Sequence, residues 1–295
     1  MKVSVVLGLV AAMVLWAACF PLLAVGLDLA PHLAFAAMRA ALAGLCLLVL
    51  GALLRRRVPR GARVWGLILL VALGSTTLGF LGMFHAAEFL SPGIATVIAN
   101  AQPLLAVILA RAFLGERLEA MGKTGLAAGF AGVIAMAWPG LVSGNARGYA
   151  LGIAYAVLSA AGEAMGRVAM KCLPVEINAI MAMGFQLALG AVPLALLSLS
   201  TEDLSSLTWS GEFLSLLIVL SLFATALPFW LWFSALKQVD LNRANAFTFL
   251  IPLFGIAAGV AFFEERFGWV QAGGVVLILL GIALVQHQGK ARALA

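Results

Sequence analysis

A few polar side chains interrupt the long apolar runs of this chain, and their types are those that bind small solutes. Asn100, Gln102 and Pro103 stand together in the run IANAQPLLAVILA. Proline cannot donate a backbone hydrogen bond, so Pro103 leaves the carbonyl of Ala99 without its helical partner. Inside a lipid bilayer, such free backbone groups are tolerated only where they face protein or a watery cavity. The pattern predicts a polar cavity at the depth of Asn100.

Ionisable residues within the apolar runs form a second group of candidates. Glu163 lies in the segment GEAMGR, one helical turn before Arg167, in the favourable Glu-to-Arg order. Ionisable groups inside a membrane are functional candidates by default. Glu163 could bind a substrate ammonium or a proton, or it could only neutralise Arg167 near the inner surface. Arg39, about 12 Å along its helix, could pair with Glu88 or Asp28, snorkel outward, or bind a substrate carboxylate.

The composition indicates the medium in which these residues lie. Of 295 residues, 64% are hydrophobic and 10% are charged, whereas a soluble domain carries roughly a quarter charged residues. The apolar runs approach the ~20 residues that cross a bilayer as a helix, and they lack the alternation of a membrane β-barrel. We predict an all-α integral membrane protein with ten transmembrane helices, at residues 4–25, 31–54, 64–86, 91–114, 121–139, 148–171, 177–199, 212–235, 241–263 and 268–287.

The charged residues alternate between the predicted connections. The even-numbered connections and the C-terminal tail are basic, as shown by Arg55, Arg56, Arg57, Arg60, Arg63, Lys123, Lys237, Arg243, Lys290 and Arg292. The odd-numbered connections are mainly acidic, with Asp28, Glu88, Glu202, Asp203, Glu212, Glu264 and Glu265. The positive-inside rule then places both termini in the cytoplasm. The net charge of +6 reflects this topology, and we expect a multi-pass protein of the bacterial inner membrane that binds no nucleic acid.

The chain contains an internal repeat. A shift of 149 residues brings Pro103 onto Pro252, and the same ungapped shift brings Glu116, Arg117, Gly125 and Gly132 onto Glu265, Arg266, Gly274 and Gly281. The first predicted helix, GLVAAMVLWAACF, likewise echoes the sixth, GIAYAVLSAAGEA. We predict one membrane domain of two five-helix repeats, 1–145 and 146–295. Because five is odd, the second repeat is inverted, a construction that many secondary transporters use.

The segments HAAEFLSPGIATVIANAQPLLAVILARAFLGERL and SALKQVDLNRANAFTFLIPLFGIAAGVAFFEERF resemble the ten-helix EamA branch of the drug/metabolite transporter (DMT) superfamily. The marks of the resemblance are Ala87, Ala235, Pro103, Pro252, Glu116 and Glu265, and it covers nearly the whole chain. It implies a metabolite exporter, with bacterial YddG-type amino-acid exporters as the nearest analogy. Gln102 stands where such exporters carry an aromatic residue. In this family, helices 1, 3, 4, 6, 8 and 9 wall a central cavity.

Polar residues on those six helices are our candidates for the substrate cavity: Trp16, Ser75, Thr76, Asn100, Gln102, Glu163, Thr225, Asn245 and Thr248. Asn245 lies one turn before the Thr248 carbonyl, which Pro252 leaves without a helical donor. Asn and Gln can instead bond a neighbouring helix, and Ser and Thr their own backbone. The candidates for hinges and gates are Pro21, His85, Pro103, Pro228 and Pro252.

The sequence does not indicate an enzyme. It has no HExxH, GxSxG or Walker motif, and Cys19, Cys46 and Cys172 share no metal-ligand spacing, so we expect no metal and no cofactor. We predict a secondary transporter that exports small amphiphilic metabolites, above all amino acids, by alternating access. A proton or an exchanged solute could drive export, and the protein could act as a monomer or a homodimer. The alternative is a nucleotide-sugar or drug carrier of the same fold; a channel or intramembrane enzyme ranks lower.

Overall fold

The computed structural model describes residues 3–105, 108–109, 120–142, 146–174, 176–236, 246–266 and 268–293. These residues form helices and turns, with no strand in the ranges described, which confirms the predicted all-α class. Six stretches of 21 to 28 residues are apolar and long enough to cross a membrane: Val5–Gly26, His32–Leu53, Ala62–Phe89, Ala120–Gly140, Ala179–Thr201 and Gly211–Trp232. Shorter apolar helices span Leu250–Phe263 and Trp269–Leu284. The count of ten spans and the side of the termini stay predictions.

We number the α-helices in chain order: α1 (Val3–Ala17), α2 (Cys19–Gly26), α3 (His32–Leu53), α4 (Ala62–Val71), α5 (Gly79–Phe89), α6 (Pro92–Ala99), α7 (Ala120–Leu141), α8 (Ala146–Lys171), α9 (Ala179–Thr201), α10 (Gly211–Ser221), α11 (Leu227–Leu236), α12 (Leu250–Phe263) and α13 (Trp269–Ala293). A π-helical turn at Ala72–Leu78 joins α4 to α5, and another at Leu222–Ala226 joins α10 to α11. Short 3-10 turns occupy Leu204–Ser206 and Ala246–Phe249.

Two predicted spans are interrupted where proline removes a helical hydrogen bond. Pro21 cannot donate to Ala17, and α1 ends at that residue before α2 begins. Pro103 cannot donate to Ala99, where α6 ends, and residues 102–105 are again helical. The first is a one-residue irregularity at Ala18 within the stretch Val5–Gly26, and the second separates α6 from residues 102–105. Discontinuous helices of this kind are typical of the centre of transporter folds.

The second half repeats this irregular geometry. Pro252 lies near the start of α12, directly after the 3-10 turn, and Pro228 follows the π-helical turn Leu222–Ala226. A shift of 149 residues carries the first π-helical turn, Ala72–Leu78, over the second. Wide helical turns therefore occur at corresponding places in the two halves. Such turns are rare in α-helices and concentrate at functional sites.

Five extensively packed helix pairs each join residues 1–145 to residues 146–295. α3 packs against α9, α6 against α12, and α7 against α13, while α8 contacts α5 as α1 contacts α11. In the repeat, α3 corresponds to α9, α6 to α12, α7 to α13, α1 to α8 and α5 to α11. Exchanging each helix for its counterpart leaves this set of pairs unchanged. The packing therefore has the pattern that a twofold relation between the halves produces.

Crossed glycine pairs bring α7 and α13 into close contact. A Cβ added to Gly132 would lie 2.6 Å from the carbonyl oxygen of Gly274, and one added to Gly281 would lie 2.6 Å from that of Gly125. Small residues let helix backbones approach closely within a bilayer. The 149-residue shift exchanges these two pairs, as a twofold axis requires. The division into two inverted repeats stays a prediction that this geometry favours.

Two carboxylates cap helices from distant parts of the chain. Glu202 accepts hydrogen bonds from the backbone N–H groups of Leu33 and Ala34, at 2.8 and 2.9 Å, at the start of α3. Glu265 accepts from the Ser91 hydroxyl at 2.9 Å and from the Gly93 N–H at 2.8 Å, at the start of α6. Because a helix start leaves its first N–H groups unpaired, both contacts satisfy orphan donors.

Glu265 lies shortly before α13, so its position in the sequence favours a cap on that helix. Glu265 instead caps α6, which is far away in sequence. Sequence neighbourhood favours a local cap, but the packing of α6 against α12 brings the two chain segments together. Glu116 lies outside the described residues.

Candidate functional site

A cavity of about 100 Å³ lies between helices from both halves of the chain. A single water needs roughly 10–15 Å³ of such space, so the cavity has room for several waters or a compact solute. One part of its lining is apolar and largely aromatic, contributed by Trp16, Phe20, Phe80, Met83, Phe229 and Ile251. The polar part carries Arg39, Asn100, Gln102, Ser159, Glu163, Arg167 and Thr225. The cavity is therefore amphiphilic.

Five of the predicted cavity residues lie in this lining: Trp16, Asn100, Gln102, Glu163 and Thr225. They come from α1, the end of α6 and residue 102, α8, and the π-helical turn before α11. A sixth, Ser75, is a neighbour, because its hydroxyl donates to Glu163 Oε2 at 3.4 Å. The structure thus brings these side chains together, and their contact with a substrate stays a prediction.

Thr76 lies in a different place from the one predicted. Its hydroxyl donates to Gln186 Oε1 at 2.8 Å, in the contact between the first π-helical turn and α9. Successive residues of a helix point about 100° apart, so Thr76 cannot share the direction of Ser75. This placement corrects the prediction of Thr76 as a cavity residue. Thr248 is buried on the 3-10 turn before α12, and Asn245 lies outside the described residues.

Asn100 ends α6 and bonds to its own helix. Its Nδ2 donates to the carbonyl oxygen of Thr96 at 2.8 Å, while the Thr96 hydroxyl donates to the Pro92 carbonyl oxygen at 2.6 Å. The amide side chain therefore stabilises the helix end that Pro103 creates, and the residue also borders the cavity. The bond lies within one helix, whereas the alternative predicted for Asn100 was a bond to a neighbouring helix. Substrate contact by Asn100 stays a prediction.

The charge pair predicted on α8 is present at the cavity wall. Arg167 Nε lies 3.8 Å from Glu163 Oε2, one helical turn away. Ser75 from the opposite half bonds the same carboxylate oxygen. The Arg167 guanidinium also lies over the ring of Trp232, 5.9 Å from its centroid. Trp232 is buried and its ring lies against that of Trp16.

Arg39 is a buried charged residue of the cavity lining that our list of predicted cavity residues does not include. Its side chain is 2% exposed, although it carries a charge inside a membrane helix. Among the described residues, Arg39 forms an ion pair with neither Glu88 nor Asp28, the two acids predicted as its partners. Glu88 instead lies 3.4 Å from His32 Nε2. The guanidinium also does not snorkel outward; it lies 4.7 Å from the centroid of the Phe80 ring. Arg39 borders the cavity as an inward-facing cation.

A proline on the neighbouring span prepares the acceptors for Arg39. Pro228 cannot donate to the carbonyl of Ala224, four residues earlier. That carbonyl oxygen lies 3.4 Å from Arg39 Nη2, and Arg39 Nε donates to the Thr225 hydroxyl at 2.9 Å. The Cys19 sulfur accepts from Nη2 at 3.2 Å. The combination of a mid-helix arginine with a proline-freed carbonyl is a sequence signal that could have identified this cluster.

His85, the predicted gate residue, belongs to a ring cluster at one end of α5. Its imidazole stacks on that of His32 with centroids 5.3 Å apart, and lies 4.7 Å from the Tyr155 ring. His85 Nδ1 is 2.9 Å from the carbonyl oxygen of Leu81. The cluster joins α3, α5 and α8. A gating role for His85 stays a prediction. In the described ranges, no group of three or more His, Cys, Asp and Glu side chains could hold a metal ion.

A bundle of apolar helices around an internal amphiphilic cavity is the architecture of a membrane transporter with a central binding site. The chain belongs to the EamA-like transporter family, whose model matches residues 3–138 and again residues 150–286. It is 31% identical to the Bacillus subtilis protein named "Uncharacterized transporter YvbV" over 96% of this chain and 91% of that protein. It is therefore a multi-pass membrane protein and a transporter, not an enzyme.

Two further similarities bear on the fold and on the substrate. A Salmonella typhimurium protein named "Probable amino-acid metabolite efflux pump" is 28% identical, over 91% of this chain and 90% of that protein. A solved crystal structure matches with a TM-score of 0.69 and 21% identity, covering 99% of both chains. At that identity, the structural similarity shows the fold alone.

Proposed function

We propose that this protein is a secondary transporter that exports small amphiphilic metabolites, above all amino acids, across the bacterial inner membrane. The observation that carries the proposal is the cavity itself, which combines aromatic side chains with fixed charges between helices of both halves. A water-filled pore for ions does not need aromatic walls, and a site for lipid-like drugs does not need buried charge. The lining suits a compact solute with an apolar body and charged ends.

The transport cycle that we propose uses the two halves as rocking units. Helix breaks at Pro21, Pro103, Pro228 and Pro252 lie where spans can bend with few helical hydrogen bonds to break. The caps from Glu202 and Glu265 join the halves at the ends of α3 and α6. In this cycle, those caps close one face of the cavity and release when the cavity opens there. Glu163 is the candidate for binding a substrate ammonium or a coupled proton.

The relatives supply the second support. The Salmonella protein's name describes efflux of amino-acid metabolites, and amino acids are small amphiphiles. Gln102 borders the cavity at the position where the resembled YddG-type exporters carry an aromatic residue. We therefore place aliphatic amino acids ahead of aromatic ones.

Efflux from proteoliposomes tests the proposal. Vesicles that contain the purified protein are preloaded with an equimolar mixture of the twenty labelled amino acids, and the retained fraction of each is followed by mass spectrometry. We expect selective loss of a few small apolar amino acids, absent from protein-free vesicles. Asn100→Ala combined with Asn245→Ala should abolish this efflux while the protein stays folded. Uniform retention by folded wild-type protein would contradict amino-acid export.

A nucleotide-sugar carrier is the second candidate, because two arginine side chains border the cavity. Phosphate recognition in proteins commonly uses guanidinium groups. The small cavity and the pairing of Arg167 with Glu163 favour a smaller and less charged substrate. Vesicles preloaded with labelled UDP-glucose distinguish the two, since only the alternative expects its loss.

A further inference from the structure

We infer that the guanidinium of Arg39 is the binding site for the carboxylate of the transported solute. This assignment rests on the proposed function and adds the ionic group that the substrate must carry. The solute class is then an organic acid or amino acid with an apolar body. The argument comes from charge, from the hydrogen bonds of Arg39 and from the walls of the cavity.

The charge of the cavity is unbalanced. Its ionisable lining holds the guanidinium groups of Arg39 and Arg167 against the single carboxylate of Glu163, a formal balance of +1. Glu163 faces Arg167 at 3.8 Å, and no acidic side chain pairs with Arg39 in the part of the chain that the structure describes. Arginine keeps its proton in proteins, and a buried cation without an anion is costly. An anionic solute would supply the missing charge.

The hydrogen bonds of Arg39 leave one nitrogen available. Nε is bonded to Thr225, and Nη2 is bonded to Cys19 and Ala224. Nη1 is buried and has no hydrogen-bond partner among the described residues. Its two N–H groups are strong donors with a planar, fixed geometry, which is the geometry that carboxylate oxygens accept.

The surroundings of Arg39 favour a ligand role over a structural one. All three of its bonded partners are neutral, so they hold the guanidinium in position without neutralising it. The Phe80 ring contributes a cation–π contact at 4.7 Å, which is much weaker than an ion pair. An arginine with a purely structural role has all its N–H groups bonded within the protein, whereas an arginine that binds a ligand leaves some N–H groups for that ligand. The same cavity presents Glu163 to an ammonium group and aromatic rings to an apolar body.

Ligand-induced thermal stabilisation of the purified, detergent-solubilised protein tests the assignment independently of transport. Unfolding is followed by tryptophan fluorescence at increasing concentrations of four probes: 4-methylpentanoate, leucine, and the counterparts in which a neutral amide replaces the carboxylate, 4-methylpentanamide and leucinamide. A ligand that binds only the folded state raises the unfolding temperature. We expect each carboxylate to bind about 10 to 100 times more tightly than its amide, as a charge-assisted hydrogen bond implies.

The variants separate a binding role from a structural one. In Arg39→Gln the ratio of acid to amide affinity should fall to about 1, and Arg39→Lys should retain part of it because it retains the charge. Arg167→Gln removes the other guanidinium of the same cavity and shows which of the two arginines the preference follows. Arg63→Gln is the control: Arg63 is exposed and lies outside the cavity lining, so this variant should keep the preference. A folding defect lowers acid and amide binding equally, so the ratio does not move.

Three results would overturn the assignment. The first is the absence of an acid preference in the wild-type protein, whether acids and amides stabilise it equally or inorganic phosphate stabilises it and the carboxylates do not. Another is an unchanged acid preference in Arg39→Gln, and the third is a preference lost in Arg167→Gln but kept in Arg39→Gln. Failure of the proposed function is a separate outcome: carboxylates would still stabilise the protein through Arg39, while proteoliposomes would retain every amino acid.

Discussion

Arg39 Nη2 lies 3.4 Å from the carbonyl oxygen of Ala224. This contact joins α3 of the first half to the π-helical turn Leu222–Ala226 of the second half. The carbonyl is available because Pro228 has no N–H to donate to it. A bent helix in one half therefore positions a cation that belongs to the other. In the proposed cycle, movement of the halves relative to each other changes this contact, and this would link binding at Arg39 to the rocking of the bundle.

Thr225→Val should destabilise the protein by about 1–3 kcal/mol, because it leaves the buried Nε of Arg39 without an acceptor. Thr225→Ser retains the hydroxyl and is the matched control. The free energy of unfolding in mild detergent, measured by denaturant titration, gives the comparison. Equal stability of the valine and serine variants would show that the Arg39–Thr225 hydrogen bond has no energetic role.

Gly274→Ala should destabilise the bundle by about 1–3 kcal/mol, because small-to-large changes in packed contacts force backbones apart. The added Cβ would lie 2.8 Å from the carbonyl oxygen of Gly132. The adjacent Gly273 has nothing within 4 Å of the corresponding position. Gly273→Ala is therefore expected to be neutral or slightly stabilising. If thermal unfolding showed both variants to be equally stable, the close approach of α7 and α13 would be wrong.

Glu163→Gln should reduce the affinity for leucine about 10-fold while leaving that for 4-methylpentanoate within about twofold, on the scale of one lost charged hydrogen bond. The reason is that only leucine carries an ammonium group for Glu163 to bind. The thermal-shift titration described for Arg39 measures both. A parallel loss for the two ligands would instead indicate that the Glu163–Arg167 pair acts only in folding.

Glu265→Ala should lower stability by about 1–2 kcal/mol, as expected for the loss of a helix cap. It removes the acceptor of the Ser91 hydroxyl and the Gly93 N–H. The neighbouring Glu264 is exposed, so Glu264→Ala controls for the loss of an acidic side chain at this turn. Thermal unfolding midpoints of the two variants give the comparison. Equal midpoints would show that the Glu265 cap does not stabilise α6.

Sequence reasoning identified the helical class and the family because these depend on hydrophobicity, proline and internal repetition. It placed Trp16, Asn100, Gln102, Glu163 and Thr225 on the right helices, and the structure brings them to one cavity. It misplaced Thr76, because spacing along a helix gives a side chain's direction only when the packed face is known. It left the role of Arg39 open, because the contacts of Arg39 with the Ala224 carbonyl and its other neutral partners form only when α3 packs against the second half.

Counterflow in proteoliposomes tests the central claim, alternating access by a solute carrier, most directly. Vesicles are preloaded with a high concentration of an unlabelled amino acid that the efflux panel identifies, and a trace of the labelled form is added outside. A carrier with one alternating site accumulates the label transiently above its external concentration, and the initial rate saturates with substrate. We predict this overshoot, and its loss in Arg39→Gln. Entry of label that only equilibrates, without overshoot or saturation, would contradict the carrier mechanism and indicate a channel.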